Sequence, residues 1–320
     1  MEFFSRMNQF GAERLPFLFI IDFEMNKPVI LPLSLVNEET VWYDIEGNSN
    51  AGSAESNQKA FPFEKKPVDF ETYKKAFDRV VKNIHYGNSF LVNLTFPTEI
   101  KTNMGLKDIF LRSKAKYKLF FDDHFVVFSP EIFVEIIEGK IYSYPMKGTI
   151  DAGIPNAREI ILNDSKEQAE HATITDLIRN DLSRVATNVR VDKYRYIDTL
   201  KTNQKDLLQV SSKISGALPG DYHSQLGDIF LELLPAGSIS GAPKTKTLEI
   251  IRNAEGQERG YFTGVFGIYD GENLKSAVMI RYIEQSGNQL FFRSGGGITA
   301  SSNLDKEYEE MINKVYVPVY

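Results

Sequence analysis

Residues 117–144 read YKLFFDDHFVVFSPEIFVEIIEGKIYSY, runs of four to six mostly aromatic and β-branched residues broken only by DDH, SPE and EGK. Such runs between turn residues are strands, so this stretch is expected to be a meander. Three further strands are expected near 262–270, 274–283 and 288–294. FLFIIDF and PVILPL within residues 16–44, SFLVNLTF, VRVDKYRYI and LLQVSSKI add more. Strands that arrive in runs, without a helix between each pair, predict an α+β fold with antiparallel sheets and argue against a doubly wound parallel one. No internal repeat of fixed short period is present.

Helices fill the gaps. DFETYKKAFDRVVKNIHYG places Phe70, Tyr73, Phe77, Val80, Val81 and Ile84 at helical spacing, with Asp69 to cap the start and Gly87 to end it. Residues 155–186, 221–234, 243–255 and about 305–315 are also expected to be helical. The third of these has Pro243 in its first turn and Gly256 just past its end. Residues 45–67, IEGNSNAGSAESNQKAFPFEKKP, are rich in Gly, Ser and Asn and are expected to be a mobile surface linker. The chain therefore divides into residues 1–68, N-terminal strands and linker belonging to the same fold, and a main catalytic portion over 69–320.

Composition excludes several classes of function. The 320 residues suit one large domain or two ordinary ones. Lys and Arg number 37 against 43 Asp and Glu, a formal charge of −6, which argues against a broad nucleic-acid face. There is no cysteine, so disulfides, thiolate metal sites and cysteine nucleophiles are excluded. No apolar run approaches the roughly 20 residues of a membrane helix. Residues 1–15 lack a signal-peptide apolar stretch. A cytoplasmic protein with no membrane partner is expected.

Several patterns carry chemistry. Glu167 and Glu170 are three apart, as are Glu307 and Glu310, and residues three apart share a helix face. Two such helices facing each other offer four oxygen donors to a hard cation such as Mg²⁺; the plain alternative is two solvated helix faces. PAGSISGAPKTKTLEII combines small residues with a helix start and Lys244, suited to an anion or to an ordinary helix-entry turn. RSGGGIT sets Gly295, Gly296 and Gly297 after a strand, where backbone amides can bind a carboxylate or simply turn. Arg179 in DLIRND fits a structural salt-bridge network. Lys147 in YPMKGT ends a strand. It is a surface charge, or, if buried with a lowered pKa, a base or nucleophile. Glu131 in SPE is a general acid if its pKa is raised.

Together these segments resemble the chorismate-utilising enzymes, a family that includes the first components of anthranilate and aminodeoxychorismate synthases, isochorismate synthase and salicylate synthase. The resemblance runs in order from about Asp69 to Lys314 through SPE, PMKGT, KEQAEHATITDLIRNDLSRVA, GSISGAPK, RGYFTG, MIRY, GGGI and EYEEMINK. It implies a single large α+β domain of two antiparallel sheets flanked by helices, with the site between the sheets. It implies Glu170 and Glu310 as direct Mg²⁺ ligands, with Glu167 and Glu307 approaching the metal. It implies substrate contacts from Gly148, Thr149, Arg281, Lys314 and the backbone of Gly295–Gly297. Phe262 stands at a substrate position where relatives often carry Tyr or Trp, and a phenyl ring has no hydrogen-bonding atom.

Three positions choose among the members. Lys147 stands where the aminodeoxychorismate synthases carry the lysine proposed to attack C2 of chorismate, and where the other members typically have alanine. Leu91 stands where isochorismate-type enzymes place a water-activating lysine. Gln209 stands where many anthranilate synthases carry a histidine linked to pyruvate elimination. The resemblance thus implies Mg²⁺-dependent amination of chorismate at C4 to 4-amino-4-deoxychorismate, on the route to p-aminobenzoate and folate. Lys147 is the implied nucleophile and Glu131 the implied acid. A separate glutamine amidotransferase is the implied source of ammonia. Anthranilate synthase component I and a non-catalytic chorismate-binding subunit are the competing readings. The N-terminal region is shorter than in relatives that hold a tryptophan pocket there, so no tryptophan feedback is expected.

Overall fold

A computed structural model describes residues 2–52, 62–200 and 206–318. The expected meanders pair as strands, and every strand pairing among the described residues is antiparallel, both in the hairpins, whose connections are too short for a crossover helix, and between strands distant in sequence. Two nine-stranded sheets result. The first runs Met146–Asp151, Leu207–Ala217, Lys140–Ser143, Ile132–Ile137, Leu274–Val278, Val265–Tyr269, Phe17–Ile21 and Val29–Pro32, with Thr187–Leu200 paired alongside Leu207–Ala217. The second runs Gly241–Ala242, Leu91–Lys101, Gln289–Ile298, Tyr282–Ser286, Phe125–Ser129, Tyr117–Phe121, Val41–Ile45 and Asn48–Ser49, with Glu64–Lys66 on Leu91–Lys101. The N-terminal 68 residues supply strands to both sheets. The centre of the expected mobile linker, residues 53–61, lies outside the described residues.

The strand Phe17–Ile21 shows why its sequence is a continuous apolar run. Successive side chains point to opposite faces, and both faces are buried. Leu18 and Ile20 join Phe266 against Tyr43, Leu119 and Val127 of the second sheet, which makes the core between the sheets. Phe17, Phe19 and Ile21 face the other way, into the helix-covered core. There Phe230, on the helix Leu226–Leu233, meets Phe19 at 4.9 Å and Phe133 at 5.7 Å between ring centroids.

Helix boundaries follow the caps. Asp69 accepts from Thr72 N at 2.9 Å and starts Phe70–His85, and Gly87 follows at φ +76°. Lys244–Glu255 runs from Pro243 to Gly256, itself left-handed at φ +67°. The expected helix over 155–186 is two helices, Ala157–Asn163 and Ser165–Leu182, because Asp164 leaves helical geometry and caps the second by accepting from Glu167 N at 2.9 Å. A further helix, Glu2–Ala12, buries Phe4, Met7 and Phe10 at i, i+3 spacing within a stretch whose mixed polarity masked them. It approaches Leu226–Leu233 closely because Gly11 and Gly227 carry no Cβ; one there would meet the carbonyl oxygens of His223 and Phe4 at 2.0 Å each. Among the described residues no helix is long and apolar enough to cross a membrane.

Candidate active site

Lys147 lies at an irregularity. Met146–Asp151 pairs with Leu207–Ala217 as Met146↔Ser211 and then Thr149↔Gln209, with the register shifting between them. A bulge re-aims the side chains it carries. Gly148 follows at φ +87°, and a Cβ there would come within 2.9 Å of Glu167 Oε2. Both the backbone conformation and the space demand glycine. The Lys147 ammonium meets Glu170 Oε2 at 3.0 Å.

The expected acidic pairs come from two helices. Ser165–Leu182 presents Glu167 and Glu170; Leu304–Asn313 presents Glu307 and Glu310. Lys166 adds a second cation to Glu170 at 3.6 Å, and Lys314 holds Glu310 Oε1 at 2.6 Å while donating to Gly295 O at 2.8 Å. Ser302 donates to Glu307 at 2.8 Å. Glu167 Oε2 is buried with no hydrogen-bond partner. Burial and the neighbouring Glu170 charge push the Glu167 carboxyl up, and burial, only partly offset by Ser302, does the same to Glu307. Burial would raise Glu310 too, but the Lys314 pair overrides it and the net direction is down. Burial would lower the Lys147 ammonium, yet Glu170, Glu310 and Glu167 together hold it above the usual lysine range. The cluster therefore keeps this lysine charged, unlike the lowered pKa that a nucleophile requires.

Gly295, Gly296 and Gly297 do not follow a strand, as expected from the sequence, but continue one, Gln289–Ile298. They pair with Thr95, Leu94 and Asn93. Gly295 O accepts from Lys314 and Thr95 N donates to Glu255, so this is a non-hydrogen-bonded pair, and by alternation so is Gly297↔Asn93. The amides of Gly295 and Gly297 thus aim to the side where pairing with Tyr282–Ser286 has already ended at Arg293. Absent side chains leave room: Glu307 Oε2 and Glu310 Oε1 each stand 3.4 Å from where a Gly296 Cβ would lie. Leu91 Cδ1 fills the space at Gly297, 2.9 Å from its Cβ position.

Glu131 completes the charged group. Ser238 Oγ donates to its Oε1 at 2.6 Å. Burial pushes its carboxyl up, against the Ser238 bond and the charges of Lys314, Lys147 and Arg281. Arg281 is left-handed at φ +54°, lies over the Tyr316 ring at 4.9 Å, and reaches Lys314 O at 3.4 Å. Thr149 is exposed on its strand. Phe262 is buried in the core between the sheets, 5.8 Å from the Tyr282 ring, and no contact among the described residues links it to the charged group. Lys244, which the sequence suggests for an anion, instead pairs with Asp181 at 3.0 Å and donates to Leu233 O at 2.7 Å. Arg179 pairs with Asp176 at 2.7 Å on an exposed face, as a salt-bridge network implies. Sequence reasoning missed Ser238, whose contact with Glu131 crosses the fold. It also missed Ser302 and Lys166, whose contacts are local: Ser302 lies five residues before Glu307, and Lys166 stands one helical turn before Glu170, a spacing that signals a pair.

Among the described residues no three acidic or histidine side chains converge into a closed metal cage. The donor set nonetheless fits a hard cation: it is all oxygen, comes from two helices, and includes one buried carboxylate oxygen without a partner.

Comparison with known proteins identifies the family. The family model described as chorismate binding enzyme matches residues 32–319. The chain therefore belongs to the chorismate-binding enzyme family. It is 50% identical, over 99% of its length and 98% of the relative's, to an uncharacterized PabA-like protein of Pasteurella multocida. It is 30% identical to aminodeoxychorismate synthase component 1 of Bacillus subtilis, over 78% of this chain and 55% of that protein. Among solved structures, anthranilate synthase component I of Streptococcus pneumoniae superposes with a TM-score of 0.68 at 25% identity, covering 79% of this chain and 58% of that one.

Proposed function

We propose that this chain aminates chorismate at C4 to give 4-amino-4-deoxychorismate, on the route to p-aminobenzoate and folate. The observation that carries the proposal is Lys147, which a bulge projects among Glu170, Glu310 and Glu167 while its charge also bears on Glu131. Glu131, buried and raised, gives a proton to the C4 hydroxyl, which leaves as water. The neutral Lys147 amine forms a bond to C2 as both ring double bonds shift, from C1=C2 to C1=C6 and from C5=C6 to C4=C5, and the C4–O bond breaks. Ammonia then bonds to C4, the C2–N bond breaks, and the lysine is regenerated with the enolpyruvyl group intact. Arg281 and the outward amides of Gly295 and Gly297 suit the two substrate carboxylates.

Glu170 and Glu310, supported by Glu167 and Glu307, are the residues that would hold Mg²⁺. When bound, that ion supplies charge neutralisation for the ring carboxylate. Glu170, Glu310 and Glu167 hold the Lys147 ammonium in their free state; engaged by a cation they would hold it less strongly, and the neutral amine is the form that attacks. With no cysteine in the chain, glutamine-derived ammonia calls for a separate amidotransferase subunit.

The test is to incubate the chain with chorismate, Mg²⁺ and an ammonium salt and identify the product by mass. 4-Amino-4-deoxychorismate is expected. Anthranilate, formed with loss of pyruvate, or isochorismate would contradict the proposal. Glutamine in place of ammonium is expected to give product only when a glutaminase is added.

A further inference from the structure

Ser238 lies outside every group that the proposed chemistry uses, yet its hydroxyl meets Glu131 Oε1 at 2.6 Å. The turn that carries it, Gly237–Ser240, is braced from three sides. Asp181 Oδ2, held by Lys244 at 3.0 Å, stands 2.9 Å from where a Gly237 Cβ would lie. Buried Arg259 donates to Ile239 O at 2.9 Å. Ser240 bonds back to Ala236 O at 2.8 Å. The serine is therefore presented to Glu131 by a rigid frame built from GSISGAPK, the Asp181 end of DLIRND and the Arg259 of RGYFTG.

A protonated carboxyl has one hydroxyl oxygen and one carbonyl oxygen, and the oxygen that accepts from a donor is the carbonyl one. We infer that Ser238 is the positioning residue that fixes the acid proton of Glu131 on Oε2, the oxygen left to deliver it to the departing hydroxyl. This inference rests on the proposed reading of Glu131 as the general acid. Without the Ser238 hydroxyl the proton is shared between two oxygens and the carboxyl is free to rotate. The same loss removes a hydrogen bond that favours the ionised form, so the carboxyl titrates higher. Rate and protonated fraction then move in opposite directions, which a merely destabilised fold does not produce.

The experiment compares Ser238→Ala and Ser238→Thr with the unaltered chain. The Glu131 carboxyl is titrated by infrared difference spectroscopy without substrate, with Glu131→Gln to assign its band. Steady-state rates with chorismate, Mg²⁺ and ammonium are measured alongside. The small cavity bounded by Glu131, Ser238, Asp181 and Tyr144 gives space for the extra methyl of threonine. In Ser238→Ala the titration midpoint is expected to rise by about one pH unit and kcat to fall about tenfold with KM unchanged, and Ser238→Thr to restore both. An unmoved midpoint in Ser238→Ala overturns the inference, as does a moved midpoint with unchanged kcat. A chain that shows the moved midpoint but leaves chorismate intact overturns the reaction itself, and with it the catalytic role of Ser238, while the contact stands.

Discussion

Arg259 and Lys147 are both cations set against carboxylates inside the same molecule, and their surroundings differ in one respect. The Arg259–Glu255 pair is 2.6 Å long with both side chains 1% exposed, and its remaining donors and acceptors are met: Asn93 O and Ile239 O take guanidinium protons, and Thr95 donates twice to Glu255. Lys147 is 35% exposed, shares Glu170 with Lys166, and borders a buried Glu167 oxygen that has no partner. A buried charge with every bond made is part of the frame. A charge group with more carboxylates than it can satisfy is prepared for something that is not protein.

The largest effect expected from this difference is on stability. Arg259→Met strands the Glu255 carboxylate in the core and should cost about 3–5 kcal/mol in chemical unfolding. A loss below about 1 kcal/mol would show that the pair is not the brace described. Glu131→Gln should do the opposite: amination falls by about 10²–10⁴-fold while the unfolding midpoint holds or rises, since a buried carboxyl is replaced by a neutral group. Retained activity would remove Glu131 from the chemistry. Glu310→Ala is expected to abolish turnover at limiting Mg²⁺ and to regain part of it at high Mg²⁺, measured as a shift in the metal-dependence curve. An unshifted curve would put the metal elsewhere.

The smallest effect is on pH. His171, beside Glu170 on its helix, is buried against Ser212 at 2.7 Å, and burial together with the Arg195 charge pushes it down to about 4. Its folded pKa is below its unfolded value of about 6.5, so the native state binds fewer protons between those values. The stability it contributes is present above about 6.5 and is lost as pH falls towards 4. The raised Glu167 and Glu307 act in reverse, losing stability as pH rises and they ionise. His171→Gln should therefore flatten the acid-side fall in the unfolding midpoint between pH 6.5 and 4. An unchanged slope would show that His171 is not held neutral.

Much of the frame was legible because its signals are local. Asp69, Pro243 and Gly256 mark helix ends by their own backbone chemistry, and alternating apolar runs mark strands. The paired glutamates were legible for the same reason, since three-residue spacing defines a helix face. Contacts that join distant segments were not. Nothing near Ser238 in sequence announces Glu131, and nothing near Gly148 announces that Glu167 fills its Cβ space. The glycine run looked like a turn because glycine usually signals one, whereas close strands and nearby carboxylates explain it here. The helix Glu2–Ala12 was hidden because its three buried residues sit among polar ones.

Lys147 as the nucleophile of a chorismate-aminating centre can be tested on the intact chain. Chorismate and Mg²⁺ without ammonia are incubated with the chain, and the intact mass and the digest are then read. An adduct equal to chorismate minus water is expected on the peptide that holds Lys147. Lys147→Ala is expected to lose both the adduct and most of the amination. Formation of 4-amino-4-deoxychorismate by Lys147→Ala at an undiminished rate would contradict the nucleophilic role.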